Sequence, residues 1–508
     1  MSEELDRFPK KHPSRTKIVA TLGPASDSEE MIARLIDAGV DVFRINMAHS
    51  SPETAQPVLD RVRTVSKRLG QPIGVLIDLA GPKMRLGNIA GNEYLCHAGE
   101  DVRFIRGASS DRPRYFTTTY EPLIDDLKVD DNVLLADGTV RLSVTRKEKD
   151  EVVCSVVQGG RVRSHQGLNL PGVSLSVPTL QEADQINARW GTRAGVDFIG
   201  LSFVRSPEDV EQLRTIVAAE AAMNIDVTGG WSPNIIAKIE KPEALSCLGE
   251  VIEVSDGIMV ARGDLGVEIP IARMPVIQKE ILRRCREQAK PAIVATQMLE
   301  SMTDELLPTR AEATDVANAI LDGADACMLS AETAVGSHPV EAVAMMHEIA
   351  ETIENQMRYA VQRGTGEIPF AEDIFREGTP SCSIETTDSV RTSQAVCQAA
   401  GALAETVGAK AIFIATKSGR TALNLSKMRN FVMTVGTSDC EEVLRRMSLY
   451  WGVIPIGGVP QDVGAMVLNL VPRAVSAGEL IEGDRIVVVA GLGAQADGRN
   501  AIYLYTVR

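Results

Sequence analysis

The sequence predicts an α/β fold: a closed (β/α)8 TIM barrel with an inserted all-β lid domain and a C-terminal α/β domain. Eight short β-branched runs alternate with longer helical patterns, and only the third run is not followed directly by a helix. Such alternation needs right-handed crossovers and hence a parallel sheet covered by helices, and eight units close a barrel. A doubly wound open sheet is the alternative for the same pattern.

The eight predicted barrel strands are short runs rich in apolar residues, and seven of the eight end in glycine, proline or a polar residue. In chain order they are TKIVATLGP, DVFRINMAHS, PIGVLIDLAG, VDFIGLSFVR, NIIAKIEKP, DGIMVARGD, PAIVATQML and DACMLSAET. Two helix starts, Ser51-Pro52-Glu53 and Ser206-Pro207-Glu208, place a cap residue before a proline and an acid that the helix dipole favours.

The third unit is interrupted by a stretch in which apolar residues alternate with a period of two. Its predicted strands are DVRFI, RYFTTTY, NVLLADGTVRLSV and EVVCSVV, and Asp137-Gly138 is a hairpin signal. We expect an all-β insert at the carboxyl ends of the barrel strands, where a lid would lie.

A turn-rich, acidic stretch without periodicity separates the barrel from a second α/β set, whose strands are KAIFIAT, FVMTVGT, DRIVVVAG and AIYLYTV. The predicted boundaries are an N-terminal segment at 1–15, the barrel at 16–81 and 179–360, the β-barrel lid at 82–178, a linker at 361–387 and a C-terminal regulatory domain at 388–508.

Composition argues against several classes of protein. The 508 residues carry 53 Lys and Arg against 68 Asp and Glu, a net charge of −15, so neither nucleic acid nor a membrane is expected as a partner. The N-terminal residues lack the apolar core of a signal peptide, and no apolar run reaches the roughly 20 residues of a membrane span. The cysteines form no CxxC pair and the histidines no cluster, which favours reduced thiols in a cytoplasmic protein over a structural zinc site.

Polar side chains stand at the carboxyl ends of the predicted barrel strands, although strands buried on both faces should be apolar. Strand ends of a barrel converge at one rim, which is where barrel active sites lie. The set is Arg44, Asn46, His49, Asp78, Ser202, Lys238, Glu240, Arg262, Asp264, Thr296, Gln297, Ser330 and Glu332.

Three of these residues suggest a cation site. Lys238 and Glu240 are two apart on one strand and so share a face, and Asp264 follows the next strand. A lone Lys-x-Glu could be a structural ion pair, but two carboxylates without His or Cys suit a hard cation such as Mg²⁺. Arg44 offers a planar fork for phosphate, and the glycine-flanked turn at Gly263 offers backbone N–H groups to an anion. These groups fit phosphoryl transfer or enolate chemistry on a phosphorylated oxyacid.

Seven segments occur in one order along the chain: TLGPAS, FRINMAHS, AKIEKPEAL, MVARGDLGVEIP, ATQMLESM, PTRAEATDVANAILDGADACMLSAET and TKSGRTA. Together they resemble the motifs of the pyruvate kinase family, and the resemblance covers the barrel, the insert and the C-terminal domain. It implies a phosphotransferase that moves the phosphoryl group of phosphoenolpyruvate to ADP, giving pyruvate and ATP in the last step of glycolysis. It also implies a Mg²⁺ or Mn²⁺ cofactor and a homotetramer.

The resemblance implies roles for single residues. Glu240 and Asp264 would hold the metal, and Lys238 would stabilise the transferring phosphoryl group and the enolate. Arg44 would bind the substrate phosphate.

The substrate carboxylate would lie against the backbone of Gly263 and Asp264 and against Thr296, on the side where the enolate is protonated. The residues that would face the nucleotide phosphates are Asn46, His49 and Arg85.

The monovalent-cation region departs from the family pattern, in which Ser and Thr ligands and a nearby Glu are common. Ala48, Leu79 and Lys83 stand there instead, beside Asn46 and Asp78. We expect Lys83 to supply the charge that K⁺ supplies elsewhere, so that K⁺ is not required; a solvent-facing lid lysine is the alternative.

In the C-terminal domain a short loop follows a strand and opens a helix, where hydroxyls and backbone N–H groups can cradle phosphate. It resembles the family's effector loop, which implies activation by a sugar phosphate or nucleotide; a turn without a ligand is the alternative. The loop consists of Thr416, Lys417, Ser418, Gly419, Arg420 and Thr421.

Two other functions fit part of the sequence. A metal-dependent oxoacid aldolase would explain Glu240 and Asp264 but neither the insert nor the C-terminal domain. A regulatory protein without catalysis would explain the effector loop, but a degenerate site has no physical reason to keep Arg44, Lys238 and Thr296 as well.

Overall fold

The computed structural model describes residues 14–107, 109–136, 138–173, 175–363, 388–490 and 501–508. Most of the predicted linker and Asp137 of the predicted hairpin turn lie outside these ranges. The strands, in chain order, are β1 (Lys17–Thr21), β2 (Val42–Asn46), β3 (Gly74–Asp78), β4 (Glu93–Cys96), β5 (Asp101–Ile105), β6 (Tyr115–Phe116), β7 (Asn132–Leu135), β8 (Val140–Lys147), β9 (Glu151–Gln158), β10 (Gly160–Arg163), β11 (Leu168–Asn169), β12 (Phe198–Leu201), β13 (Asn234–Ile239), β14 (Gly257–Ala261), β15 (Ala292–Ala295), β16 (Ala326–Leu329), β17 (Ala411–Ala415), β18 (Met433–Thr437), β19 (Val453–Ile456), β20 (Arg485–Ala490) and β21 (Ala501–Thr506).

Helices connect most of these strands, and both helix-start signals of the Ser-Pro-Glu type are confirmed, at Pro52 and Pro207. The α-helices are Glu29–Ala38, Pro52–Leu69, Leu123–Asp126, Glu182–Ala194, Pro207–Met223, Ile225–Thr228, Pro242–Ser246, Leu248–Val254, Arg262–Glu268, Met274–Glu287, Arg310–Leu321, Ala331–Ala334, Pro339–Arg363, Asp388–Thr406, Arg420–Lys427, Glu441–Met447 and Val463–Ser476, with 3₁₀ turns at Ile271–Arg273 and Glu300–Thr303.

Eight parallel strands close a barrel, which confirms the predicted fold class and excludes the open sheet. Around the barrel they follow the order β1-β16-β15-β14-β13-β12-β3-β2. Each strand is almost entirely buried, as helices cover it outside and side chains fill the interior. The carboxyl ends of all eight therefore meet at one rim, called here the C-terminal rim, and the amino ends at the N-terminal rim.

The insert interrupts the barrel between β3 and β12, as the sequence predicts. Its six-stranded sheet has the order β11-β7-β8-β9-β5-β6, and β10 pairs with β4. The run DVRFI forms β5 as expected, whereas RYFTTTY gives only the two residues of β6. The short strands β4, β10 and β11 were not predicted, because none has a sustained alternation of apolar residues.

The C-terminal part contains a five-stranded sheet of order β19-β18-β17-β20-β21, in which β21 is antiparallel. The four predicted strands are present. The sequence analysis missed β19, whose run VIPI contains a proline and lies at the sheet edge, where the missing N–H is tolerated.

An aspartate precedes every second barrel strand at the N-terminal rim. Each accepts a hydrogen bond from a backbone N–H at the start of the strand before it, over 2.7–2.9 Å. The four pairs are Asp41 with Ile18, Asp197 with Val75, Asp256 with Ile235, and Asp325 with Ala292. The barrel thus contains four strand pairs, and in each pair an aspartate before the second strand accepts a hydrogen bond from the start of the first.

The C-terminal part covers this rim. Arg445 donates to Asp197 over 2.7 Å, and Lys427 and Arg429 both donate to Asp325. Apolar side chains of the segment after β18, such as Met447, belong to the same buried cluster as the barrel interior. The N-terminal rim is therefore closed, which leaves the C-terminal rim for ligands.

Within the described residues, none of the helices combines the length and apolar character needed to cross a membrane. Seven cysteines lie in the described ranges, none in a disulfide, and five of them are buried. Cys382 lies outside those ranges.

Candidate active site

Lys238, near the end of β13, lies at the centre of the C-terminal rim. Its ammonium group donates to Ser202 Oγ over 2.8 Å and lies 2.9 Å from Glu240 Oε1 and 3.2 Å from Asp78 Oδ1. Burial alone would lower the pKa of Lys238, but Asp78 and Glu240 outweigh it and raise the pKa above its ordinary value. The lysine is therefore a fixed, permanent positive charge.

Asp78, the last residue of β3, joins this lysine to Arg44. One carboxylate oxygen faces Lys238, and the other lies 2.8 Å from Nε and 2.7 Å from Nη2 of Arg44. A further bond of 3.1 Å joins Arg44 Nη1 to Thr21 Oγ1 at the end of β1. Burial would raise the pKa of Asp78, but Lys238 and Arg44 hold it below its usual value. The result is a buried row of alternating charge across three strand ends.

Glu240 and Asp264 are the two carboxylates predicted to hold a metal. Glu240 Oε2 accepts a 2.6 Å hydrogen bond from Phe203 N, whereas Oε1 accepts none among the described residues, although Lys238 lies beside it. Burial raises the pKa of Glu240 to about 7, against the opposing effect of Lys238, and the neighbouring charge of Asp264 adds to the rise.

The donor set fits a hard divalent cation. A buried carboxylate oxygen without a hydrogen bond and a second carboxylate within electrostatic reach are the oxygen ligands that Mg²⁺ and Mn²⁺ accept. In the described ranges no group of three or more His, Cys, Asp or Glu could hold a metal, so the remaining ligands would come from water and substrate.

Thr296 and Gly263 are brought together next to these carboxylates. Gly263 N donates to Thr296 Oγ1 over 2.8 Å, and a Cβ on Gly263 would lie 3.4 Å from that oxygen. The predicted glycine-flanked turn is wrong in detail, because Gly263 and Asp264 lie in the first turn of the helix Arg262–Glu268. One N–H that we expected to be free for an anion is therefore taken by Thr296.

The backbone that carries Thr296 is strained. Thr296 and Gln297 have φ angles of 68° and 55°, a left-handed conformation that a β-branched residue rarely adopts. Arg262 holds this turn by donating to Thr296 O over 2.8 Å and to Asp315 over 2.7 Å. Arg262 thus supports the site, whereas the sequence placed it simply among the rim groups.

Glu332 also has a supporting place. Its two oxygens accept backbone N–H groups, from Ser330 over 2.6 Å and from Leu299 over 3.1 Å. Burial raises the pKa of its carboxyl. This buried acid fixes the loop after β15 against the end of β16.

The residues predicted to face the nucleotide lie on separate segments, at the end of β2, just after it and in the insert. Asn46 ends β2 and accepts from Ala48 N over 3.1 Å, and His49 is exposed three residues later. Arg85 lies in the insert, where Nη1 donates to His165 O over 3.0 Å. Lys83 is exposed, and its side chain forms no hydrogen bond or ion pair with any described residue.

The predicted effector loop lies at the carboxyl end of β17. Thr416 Oγ1 accepts Gly419 N over 3.1 Å, and Gly419, with φ 80°, precedes the helix Arg420–Lys427. Lys417, Ser418 and Arg420 are exposed.

Two residues of the site were not singled out by the sequence. Thr21 holds Arg44, and it could have been found as the polar end of the first strand. Phe203 aims its N–H at Glu240 from a left-handed φ of 56°, and no sequence signal marks that conformation in an aromatic residue.

Comparison with known proteins places this geometry in a family. The family model "Pyruvate kinase, barrel domain" matches residues 13–343, and "Pyruvate kinase, alpha/beta domain" matches residues 394–503. A pyruvate kinase of Methylorubrum extorquens is 40% identical over 484 residues, covering 95% of each chain. One of Staphylococcus epidermidis is 39% identical over 483 residues, covering 94% of this chain and 78% of its own.

A solved structure agrees with these matches. The crystal structure of a pyruvate kinase from Cryptosporidium parvum superposes with a TM-score of 0.87 at 30% identity, covering 98% of this chain and 97% of its own. Such enzymes convert phosphoenolpyruvate and ADP to pyruvate and ATP with a divalent metal. With the matched models, the overlapping relatives and the charged C-terminal rim in agreement, the chain belongs to the pyruvate kinase family.

Proposed function

We propose that this chain transfers the phosphoryl group of phosphoenolpyruvate to ADP at the C-terminal rim, with Mg²⁺ or Mn²⁺ held by Glu240 and Asp264. The observation that carries the proposal is the row Arg44–Asp78–Lys238–Glu240, in which two cations and two carboxylates alternate over contacts of 2.7–3.2 Å. The site is thus organised before substrate arrives, which is the condition for electrostatic stabilisation of a transition state.

Arg44 and Lys238 bind the phosphoryl group of the substrate in this mechanism. Asp78 fixes both side chains, so little reorganisation is needed when negative charge develops on the phosphoryl oxygens. Lys238 then lies beside the enolate oxygen that is left when the phosphoryl group moves to ADP. The divalent cation, when bound, supplies a Lewis acid that neutralises phosphate and enolate oxygens.

Thr296 and the first turn of the helix Arg262–Glu268 orient the substrate carboxylate. Thr296 lies on the side where the enolate is protonated. Its hydroxyl accepts a hydrogen bond from Gly263 N and so fixes Gly263 beside it. Asn46, His49 and Arg85 would meet the nucleotide phosphates, Arg85 from the insert side.

A coupled assay with lactate dehydrogenase tests this proposal. Pyruvate formation from phosphoenolpyruvate and ADP should require Mg²⁺ or Mn²⁺ and should fall steeply in Asp264→Asn. Asp256→Asn, an aspartate of the other rim, is the matched control and should keep full turnover. Turnover without any divalent cation, or an unaffected Asp264→Asn, would contradict the proposal.

We also propose that K⁺ is not required, because Lys83 supplies the charge. Lys83 is exposed and follows Asp78 by five residues in the sequence. The side chain of Leu79 has no oxygen that could bind a cation. Turnover in buffer free of Na⁺ and K⁺ should match that with KCl, and Lys83→Glu should make turnover depend on K⁺. Lys128→Glu, which reverses another exposed lysine of the insert, should not. Activity that is near zero without K⁺ and restored by KCl would overturn the idea.

A phosphorylated metabolite, a sugar phosphate or a nucleotide, is proposed to activate the enzyme at residues 416–421. The loop follows β17, where the strand order turns from β18 on one side to β20 on the other, and ligands of open α/β sheets bind at such switch points. Ser418→Asp should abolish the response to every member of a metabolite panel, whereas Ser476→Asp should leave it intact. An unchanged response in Ser418→Asp would refute the assignment.

The predicted homotetramer, the cytoplasmic location and the residue boundaries of the domains stay predictions. Sedimentation of the full chain tests the first, and limited proteolysis at the predicted linker tests the last.

A further inference from the structure

Two connectors join the insert to the barrel: the first connector is residues 79–83, and the second is residues 175–181. Both reach the short segment that follows β12, Ser202 to Arg205, called here the β12 end. Ser202 Oγ donates to Leu79 O of the first connector over 2.6 Å. Gly81 packs on Phe203 so closely that an added Cβ would lie 2.7 Å from its ring.

Arg205 makes the contact with the second connector. Its Nη1 donates to Leu175 O over 3.0 Å, Nη2 to Val177 O over 3.0 Å, and Nε to Thr179 Oγ1 over 3.2 Å. All three nitrogens of one planar guanidinium thus donate to the second connector, two to backbone carbonyls and one to a side-chain hydroxyl. A lysine has its three N–H donors on one nitrogen and could not reach these three separate acceptors together, so the arrangement depends on the planar fork of the arginine.

The insert also binds the second connector, through Asp126. Ser176 lies between the two carbonyls that Arg205 binds, and its N and Oγ donate to Asp126 over 2.9 and 3.0 Å. Asp126 in turn accepts from Tyr120, a buried residue of the insert core. A continuous path of hydrogen bonds therefore leads from Arg205 into the insert.

The β12 end also holds the reacting groups. Ser202 accepts from Lys238, and Phe203 N donates to Glu240 from its left-handed backbone. One stretch of four residues therefore touches the metal ligand, the central lysine and both connectors.

We propose that Arg205 is a positioning residue, which fixes the insert in one placement over the Lys238–Glu240 pair. It touches no reacting atom. The inference rests on the proposed role of the insert in nucleotide binding. Loss of the Arg205 hydrogen bonds frees the insert, while Ser202 and Phe203 still hold Lys238 and Glu240. The KM for ADP should therefore rise, whereas the KM for phosphoenolpyruvate should stay nearly the same.

Steady-state kinetics of Arg205→Lys and Arg205→Gln in the full chain test this, with hydrogen exchange of the connectors as a second readout. The KM for ADP should rise at least about fivefold, the factor that corresponds to losing one net hydrogen bond. The KM for phosphoenolpyruvate should stay within about twofold, and amides of 175–181 should exchange faster. Arg214→Lys is the matched control, since Arg214 also donates to a carbonyl, Val254 O, and to Asp256, but lies away from the connectors.

Thr179→Val keeps the proposal testable if the Arg205 variants fail to fold. It removes one acceptor of Arg205 and should raise the KM for ADP in the same direction by a smaller factor. An ADP response equal to that of Arg214→Lys, an equal rise in both KM values, or an unchanged KM for ADP in Thr179→Val would overturn the inference. Absence of divalent-dependent turnover in the unmodified enzyme would instead count against the proposed function.

Discussion

The two rims of the barrel both bury carboxylates but use them differently. At the N-terminal rim Asp197 and Asp325 have a partner for each oxygen: a strand N–H on one, and a cation of the C-terminal part on the other. At the C-terminal rim Asp78 Oδ1 and Glu240 Oε1 accept no hydrogen bond from any described residue, although Lys238 lies within 3.2 Å of both. Saturated carboxylates hold strands together, whereas unsaturated ones retain capacity for a ligand.

Asp325→Asn should give the largest effect on stability. The substitution leaves Lys427 and Arg429 buried without a counter-charge, and breaking a buried ion pair costs about 3–5 kcal/mol. Urea denaturation followed by circular dichroism should show this loss in the free energy of unfolding. Turnover of the folded enzyme should change little. A large loss of turnover with unchanged stability would contradict the claim that carboxylates of the N-terminal rim stabilise the fold and those of the C-terminal rim serve catalysis.

Lys238→Met should give the largest effect on catalysis. Removing one preorganised donor to a developing oxyanion costs about 10²–10³ in turnover, or about 2.7–4 kcal/mol. The kcat of the coupled assay measures this, and Lys241→Met, a buried lysine one position past Glu240 paired with Glu268, is the neighbouring control. Turnover of Lys238→Met within tenfold of the unmodified enzyme would contradict the central place given to this lysine.

Thr296→Val sharpens the account of the strained turn. Valine keeps the β-branch at φ 68° but removes the hydroxyl that Gly263 N binds, so backbone strain is matched while one hydrogen bond is lost. The kcat/KM for phosphoenolpyruvate should fall by about tenfold, and Thr296→Ser should retain most of it. Equal values for the two variants would show that the hydroxyl is not used.

Asp256→Asn should give the smallest effect. The side chain of Asp256 is 28% exposed, against 1% for Asp325, and pairs of this kind contribute about 1 kcal/mol or less. The same urea experiment measures it. A loss of unfolding free energy as large as that of Asp325→Asn would mean that burial does not determine how much each of the four aspartates contributes to stability.

Much of the fold follows from the sequence because the barrel strands are buried on both faces, so that each is a short, mostly apolar run between two helical patterns. The short insert strands and β19 did not follow, since two to four residues carry no period and Pro455 argues against a strand. The four rim aspartates were also overlooked. Three stand two residues after a glycine, as in Gly39-Val40-Asp41, and this recurrence could have been noticed.

The sequence predicted which residues form the candidate site but not which of them contact one another. Polar residues at strand ends identified Lys238 and Glu240, because strand ends converge in a barrel. The sequence could not show that Asp78 joins Arg44 to Lys238, nor that Phe203 adopts φ 56°, since both depend on side chains and backbone from separate strands meeting in space.

Binding of Mn²⁺, followed by electron paramagnetic resonance of the free ion, tests the division between the rims most directly. We predict one bound Mn²⁺ per chain in the unmodified enzyme and in Asp325→Asn, and an affinity weakened by more than about tenfold in Glu240→Gln. Equal Mn²⁺ binding by Glu240→Gln and the unmodified enzyme, or its loss in Asp325→Asn, would contradict the account.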